Sequence, residues 1–173
     1  AQFFRGGRRA VVGYDARRSS RSLESALVRG LISAGVGVLR LGLVPSPVVS
    51  FAALKLRANF GVIVSASHNP RAYNAFKIID AKANQIGWRQ GLKKIAEFLS
   101  ESHKGDKGNK GGKGSVQTER IVPLYVSALV RRFRGRIRPL RIAIDYGNGV
   151  GAITAGRAFR ALGIRTKPIL AKP

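Results

Sequence analysis

Phe60-Gly61-Val62-Ile63-Val64-Ser65-Ala66-Ser67-His68-Asn69-Pro70 is the stretch from which the rest of the chain can be read. Its first five residues are apolar and largely β-branched, which predicts a buried strand, and Asn-Pro predicts a tight turn after it. The hydroxyls of Ser65 and Ser67 and the imidazole of His68 are therefore expected at a strand's end, where open α/β sheets place their ligands. Seven residues beyond Pro70, Lys77 opens the next apolar run, Ile78-Ile79. A serine able to carry a phosphoryl group, near a cation able to neutralise it, points to phosphoryl-transfer chemistry.

Upstream, Ala10-Val11-Val12-Gly13 predicts a short strand leading into the polar loop Tyr14-Asp15-Ala16-Arg17-Arg18-Ser19-Ser20. Leu23, Ala26, Leu27, Leu31 and Ala34 follow at helical spacing, with Ser19 or Ser20 as cap and Gly35 as stop. A strand over 36–41, a helix over 48–56, the strand 60–64, a strand over 76–80 and a helix over 88–99 continue the alternation. That helix would turn Leu92, Ile95, Ala96 and Leu99 inward. Phe3-Phe4 before Arg5-Gly6-Gly7 resembles a last helical turn with its glycine stop, so the chain is expected to begin inside an element. Strands alternating with helices at this spacing predict an α/β fold, a three-layer α/β/α sandwich with a mixed, largely parallel sheet.

Residues 102–114 are rich in Gly and Lys without apolar side chains and predict a surface loop or linker. A helix over 121–133 follows, and a strand over 140–145, a helix over 152–162 and a strand over 166–170 then make one further βαβ unit. These residues divide the chain into a first domain over 1–135 and the start of a second α/β domain over 136–173, expected to be cut short.

Composition narrows the functional classes. The 173 residues are 45% hydrophobic, ordinary for a globular protein. No apolar run approaches the roughly 20 residues of a membrane span, and no secretory signal is legible at the start. Cysteine is absent, which excludes disulfides and thiolate metal sites. A soluble cytoplasmic protein without membrane partners is the expectation. Thirty-two Lys and Arg against eight Asp and Glu give a net charge of +24. Such a field attracts polyanions, but the cations are scattered and carry no interleaved aromatic platform, so no specific nucleic-acid partner is expected. No Asp-x-Asp cluster suited to a divalent cation occurs, so most ligands of any Mg²⁺ would have to come from elsewhere.

Each candidate has a plainer alternative. Gly147-x-Gly149-x-Gly151 follows a strand, but it lacks the further spacing of a dinucleotide fingerprint and reads better as a tight turn. His68 could be a turn residue, and no adjacent Asp completes a hydrolase triad. Arg17 and Arg18 could be surface charges, yet they follow a strand end where an anion would bind. Lys77 could be merely solvated.

Taken together, Ser65–Pro70 and Tyr73-Asn74-Ala75-Phe76-Lys77 closely resemble the active-site signature of the α-D-phosphohexomutases, the phosphomannomutase/phosphoglucomutase group. Val12-Gly13-Tyr14-Asp15-Ala16-Arg17 resembles that family's early Gly-x-Asp-x-Arg loop, and Val44-Pro45-Ser46-Pro47 its Val-Pro-Thr-Pro turn. Asn84-Gln85-Ile86-Gly87 and Asp145-Tyr146-Gly147-Asn148-Gly149 also have family-like counterparts. The resemblance implies the first domain of a four-domain enzyme and the opening of its second. It makes Ser67 the phosphoserine, whose phosphate would also bind Mg²⁺. It places His68 and Lys77 in the active site, with Arg17 and Asn69 on the phosphate or substrate side. The implied reaction interconverts hexose 6-phosphate and hexose 1-phosphate, of mannose or glucose, through a hexose 1,6-bisphosphate. The family's Tyr-x-x-Arg segment is absent, its aspartate metal loop and sugar-binding loops would lie beyond Pro173, and Ala75 stands where a glycine is usual. The alternative is a catalytically inactive, mutase-derived basic domain that binds RNA or an acidic partner.

Overall fold

The computed structural model describes residues 9–102, 114–138 and 140–173. The helical turn expected around Phe3-Phe4 and most of the Gly/Lys-rich stretch lie outside them. The chain runs β1 (Arg9–Tyr14), α1 (Ser20–Ser33), β2 (Gly37–Leu43), α2 (Ser46–Lys55), β3 (Phe60–Val64) and β4 (Phe76–Asp80). After a π-type turn (Trp88–Leu92) come α3 (Lys93–Ser102), β5 (Val116–Thr118) and α4 (Val122–Phe133). β6 (Arg141–Asp145), a 3-10 turn (Val150–Ile153), α5 (Ala155–Ala161) and β7 (Arg165–Ile169) complete it.

Five strands form one sheet in the order β4-β3-β1-β2-β5, parallel except for β4, which runs antiparallel to β3. Alternation along its central strands sorts the core into two layers. Val11 and Ile63 face one side and pack with Val48, Val49, Ala52 and Ala53 of α2 and with Ile121 beside α4. Ala10, Val12, Phe60 and Val62 face the other side and pack with Val28 and Leu31 of α1. The fold is the expected three-layer sandwich, and β3 is buried along its whole length as a central strand covered on both faces should be. β6 and β7 pair in parallel as a separate two-stranded sheet. No helix among the described residues is long and apolar enough to cross a membrane.

Three elements differ from the sequence reading. β5 has no counterpart in it: its three residues are exposed, carry no alternating pattern, and become a strand only through the free edge of β2. The expected helix over 88–99 is broken at Gly91, whose φ of 152° is open to glycine and belongs to no helix. Its inner face is also largely unburied: Leu92 and Ile95 are half-buried, but Ala96 and Leu99 are exposed. Both faces of the sheet are already occupied by α1, α2 and α4, and α3 packs mainly on the turn before it. The expected helix over 152–162 is α5, shortened and preceded by the 3-10 turn.

One buried charge ties α1 to β2. Glu24 is fully buried, and its carboxylate accepts from Arg40 Nε at 2.8 Å and from Arg40 Nη2. The hydrogen bond to Glu24 raises the Arg40 pKa above its already high ordinary value, against the smaller opposing effect of burial. Arg40→Met would leave a carboxylate buried without its counter-charge. The expected loss is about 2–3 kcal/mol, roughly 5–10 °C in Tm, below the usual cost of breaking a fully buried pair, because 35% of the Arg40 side chain remains in solvent. Thermal unfolding of Arg40→Met beside Glu24→Leu/Arg40→Met measures it. A double variant no more stable than the single one would show that the pair is not the cause.

Candidate active site

The parallel strands deliver their following loops to one edge of the sheet. The β1–α1 loop, the start of α2, the loop after β3 and the loop after β6 line a cleft of about 1020 Å³ there. That is at the upper end of the roughly 300–1,000 Å³ typical of small-molecule sites. Gly13 lets these walls converge: a Cβ there would come within 2.6 Å of Val44 and 3.0 Å of Val49.

The loop after β3 separates its two serines. Ser65 is buried, and its Oγ accepts the Ser67 backbone N–H at 3.2 Å. Ser67 is exposed in the cleft with φ at +55°, a left-handed conformation that costs a non-glycine residue about 1–2 kcal/mol. Its Oγ lies 3.2 Å from His68 Nδ1, close enough to share a proton. His68 has no carboxylate partner among the described residues. The loop closes on itself through Asn69 N–H to the Ala66 carbonyl and Tyr73 N–H to the Pro70 carbonyl.

Strain at such a position persists only where the surroundings over-determine it. Here Arg17 does so. Its Nη1 donates to the carbonyls of Pro70 at 2.7 Å and Tyr73 at 3.0 Å. Its Nη2 donates to those of Ser67 at 2.8 Å and Asn69 at 2.7 Å. Nε donates to Asp15 Oδ2 at 3.2 Å. All five guanidinium N–H groups are thus engaged inside the protein. The sequence reading sets Arg17 on the phosphate or substrate side; in the structure it lines the cleft, with its guanidinium donors given to the serine loop's carbonyls and to Asp15. The reason is that these loop carbonyls have no strand partner, and the guanidinium supplies four donors to them at once. Asp15, which has no role in the sequence reading, orients Arg17 through two contacts, the second from Arg17 N–H to Oδ1 at 3.0 Å. Aspartate just past a strand end, two residues before an arginine, is the turn-forming signal that could have identified it.

The cleft gathers Ser67, His68, Asn69 and Arg17, but Lys77 is not among the residues lining it. Lys77 is half-buried on β4 directly opposite Ile63, which does line the cleft, so it stands one strand away on the same face of the sheet. Two further exposed cations, Arg18 and Arg71, line the cleft without a hydrogen-bond or ion-pair partner among the described residues. Its one carboxylate, Asp15, is already paired with Arg17. The cleft is electropositive and suited to an anion. Gly147 and Asn148 both take left-handed φ where their loop enters the cleft, which gives the glycine pattern a turn-forming reason. Ala75 does not take a positive φ and therefore carries no strain in place of glycine.

The described residues hold no group of three or more His, Asp or Glu that could bind a metal. They therefore do not fit a complete Mg²⁺ site; a phosphate on Ser67 would supply an oxygen donor and no more.

A family model described as phosphoglucomutase/phosphomannomutase, alpha/beta/alpha domain I, matches residues 1–106. A probable phosphoglucosamine mutase of Methanothermobacter thermautotrophicus is 34% identical over 163 residues, spanning 94% of this chain and 36% of the relative. A phosphoglucomutase of Neisseria meningitidis is 34% identical over 159 residues, spanning 92% of this chain and 33% of the relative. A solved phosphoglucomutase/phosphomannomutase family protein of Burkholderia thailandensis superposes with a TM-score of 0.84 at 33% identity, over 97% of this chain and 37% of that one. The chain thus spans about a third of the length of these relatives.

Proposed function

The chain belongs to the phosphoglucomutase/phosphomannomutase family, and from that premise we propose that it carries the phosphoserine wall of a phosphohexomutase active site. Residues 1–135 would form the first domain and 136–173 the opening of a second. The observation that carries this reading is Ser67, exposed and held left-handed in a cleft whose unpaired charged side chains among the described residues, Arg18 and Arg71, are cations.

In the proposed reaction the phosphoryl group of phospho-Ser67 passes to a hydroxyl of a hexose monophosphate. The P–Oγ bond breaks, a P–O bond to the sugar forms, and the sugar's hydroxyl proton ends on Ser67 Oγ. The product is a hexose 1,6-bisphosphate. After it reorients, its other phosphoryl group returns to Ser67, and the serine proton goes to the departing sugar oxygen. His68 Nδ1, 3.2 Å from Oγ, is within reach to carry that proton. Lys77, Arg18 and Arg71 would offset phosphate charge, and Asn69 would sit beside the transferred group. Positioning and charge neutralisation would supply most of the rate. Mg²⁺ would stabilise charge on the phosphoryl oxygens when bound, with its remaining ligands outside these residues. The names of the relatives keep glucosamine, glucose and mannose phosphates all as candidate substrates.

The product of the complete reading frame that carries this chain should interconvert hexose 6- and 1-phosphates, assayed with each sugar in the presence of Mg²⁺ and a trace of the bisphosphate. Inactivity on all three would sink the reading. The 173-residue chain by itself should show no turnover, since one wall of a site cannot orient a bisphosphate; measurable mutase activity from it would contradict that division of labour.

A further inference from the structure

Behind the serine loop, three side chains with no part in the proposed chemistry form one polar chain. Asn74 closes the loop just before β4, and its Nδ2 donates to Ser19 Oγ at 2.9 Å and to Ser20 Oγ at 2.8 Å, at the start of α1. Ser20 is fully buried, and its Oγ donates to Asp15 Oδ1 at 2.5 Å. Asp15 in turn holds Arg17, whose other four N–H groups grip the loop carbonyls from Ser67 to Tyr73. The Asn74 Oδ1 accepts the N–H of Ala75, which directs the amide nitrogen towards α1. Donation runs in one direction, from Asn74 to Ser20 to Asp15, whose carboxylate only accepts. The loop is fastened at its middle by Arg17 and at its end by Asn74, and both fastenings converge on Asp15.

We propose that Asp15, Ser20 and Asn74 are positioning residues, a latch that holds Ser67 in its left-handed conformation and aims its Oγ into the cleft. The proposal rests on the mutase reading only for its catalytic consequence; the mechanical part stands on the hydrogen bonds alone. Cutting the latch lets Ser67 relax to an ordinary φ, and a displacement of about 1 Å at a reacting atom can cost about a hundredfold in rate.

Asn74→Asp separates a latch from simple packing because it keeps the shape and removes the donor. Ser20 has already committed its proton to Asp15, so at neutral pH the introduced carboxylate would face Ser20 Oγ with no proton between them, and only the Ser19 hydroxyl could turn to meet it. A carboxylic acid can donate again, so the variant should recover as pH falls through the aspartate range, at about 4 or higher because partial burial near the Asp15 carboxylate favours the neutral form. In the complete polypeptide, Asn74→Asp should raise hydrogen exchange at the Asn69 and Tyr73 amides about tenfold or more at pH 7, with protection restored at the acidic end of that range after correction for intrinsic rates. Phosphorylation of Ser67 by hexose 1,6-bisphosphate should slow by about ten- to a hundredfold at neutral pH with little change in half-saturation. Ser20→Ala, which removes the relay but not the loop contact of Arg17, should give a smaller loss in the same two readouts.

Wild-type protection and wild-type phosphorylation in Asn74→Asp at pH 7 would overturn the latch. So would a loosened loop that does not recover on acidification, because that is packing damage. If the wild-type serine is never phosphorylated while the variant's loop loosens reversibly with pH, the mutase reading falls and the latch stands.

Discussion

Ser67→Ala in the complete polypeptide should leave no phosphoserine and reduce mutase turnover by at least about four orders of magnitude, the scale on which removal of a covalent nucleophile acts. The reason is stoichiometric: in the proposed reaction, without Oγ the phosphoryl group would have no resting place between its departure from one sugar oxygen and its delivery to another. Incubation with hexose 1,6-bisphosphate followed by mass spectrometry of the peptide containing residues 60–77 locates the modification, and a coupled assay measures turnover. The fold should be unaffected, since Ser67 is exposed and among the described residues its hydroxyl meets only His68. Ser65→Ala is the discriminating control. Ser65 is buried and accepts the Ser67 N–H, so its loss should cost about 1 kcal/mol of local stability and only part of the activity. Phosphate found on Ser65, or substantial turnover by Ser67→Ala, would refute the assignment of the nucleophile.

Arg17→Lys should lower kcat by about a hundredfold while leaving KM within a few-fold. Lysine keeps the charge but offers three donors on a flexible point ammonium, whereas Arg17 reaches four carbonyls and Asp15 with a rigid fork. Most of the carbonyls it releases are close enough to solvent to be rehydrated, so global stability should fall by only about 1–2 kcal/mol. The split between kcat and KM decides what Arg17 does. Had it been a ligand for the substrate phosphate, its loss would appear chiefly in KM; as the brace behind Ser67 it appears in kcat. A variant with raised KM and intact kcat would return Arg17 to the substrate side, where the sequence reading places it.

That reading captures the serine loop because the loop is contiguous: strand, serine pair, histidine and Asn-Pro turn lie within eleven residues, 60–70. It also places Ser67 beside His68, since neighbours in sequence are neighbours in space. It cannot see which way Arg17 points, because the carbonyls that draw it lie 50 to 56 residues away. The same holds for Asn74 and Ser20, 54 residues apart, and for the Glu24–Arg40 pair, in which an acid buried on one helix is matched to a cation on a strand. The helical periodicity of α3 is genuine, but periodicity states which side of a helix is apolar and not whether a surface exists to receive it.

The alternation of strands and helices, the two-sided burial of β3 and the position of Ser67 in the turn after it were all legible in the amino-acid order. They follow from side-chain periodicity and local turn chemistry, which operate over a few residues. The pairing of β5, the exposure of α3, the turning of Arg17 onto the loop carbonyls and the latch from Asn74 to Asp15 came only with the assembled fold. Each depends on a hydrogen-bond partner or a packing surface that is distant along the chain and exists only once the sheet has formed, so no local pattern could carry it.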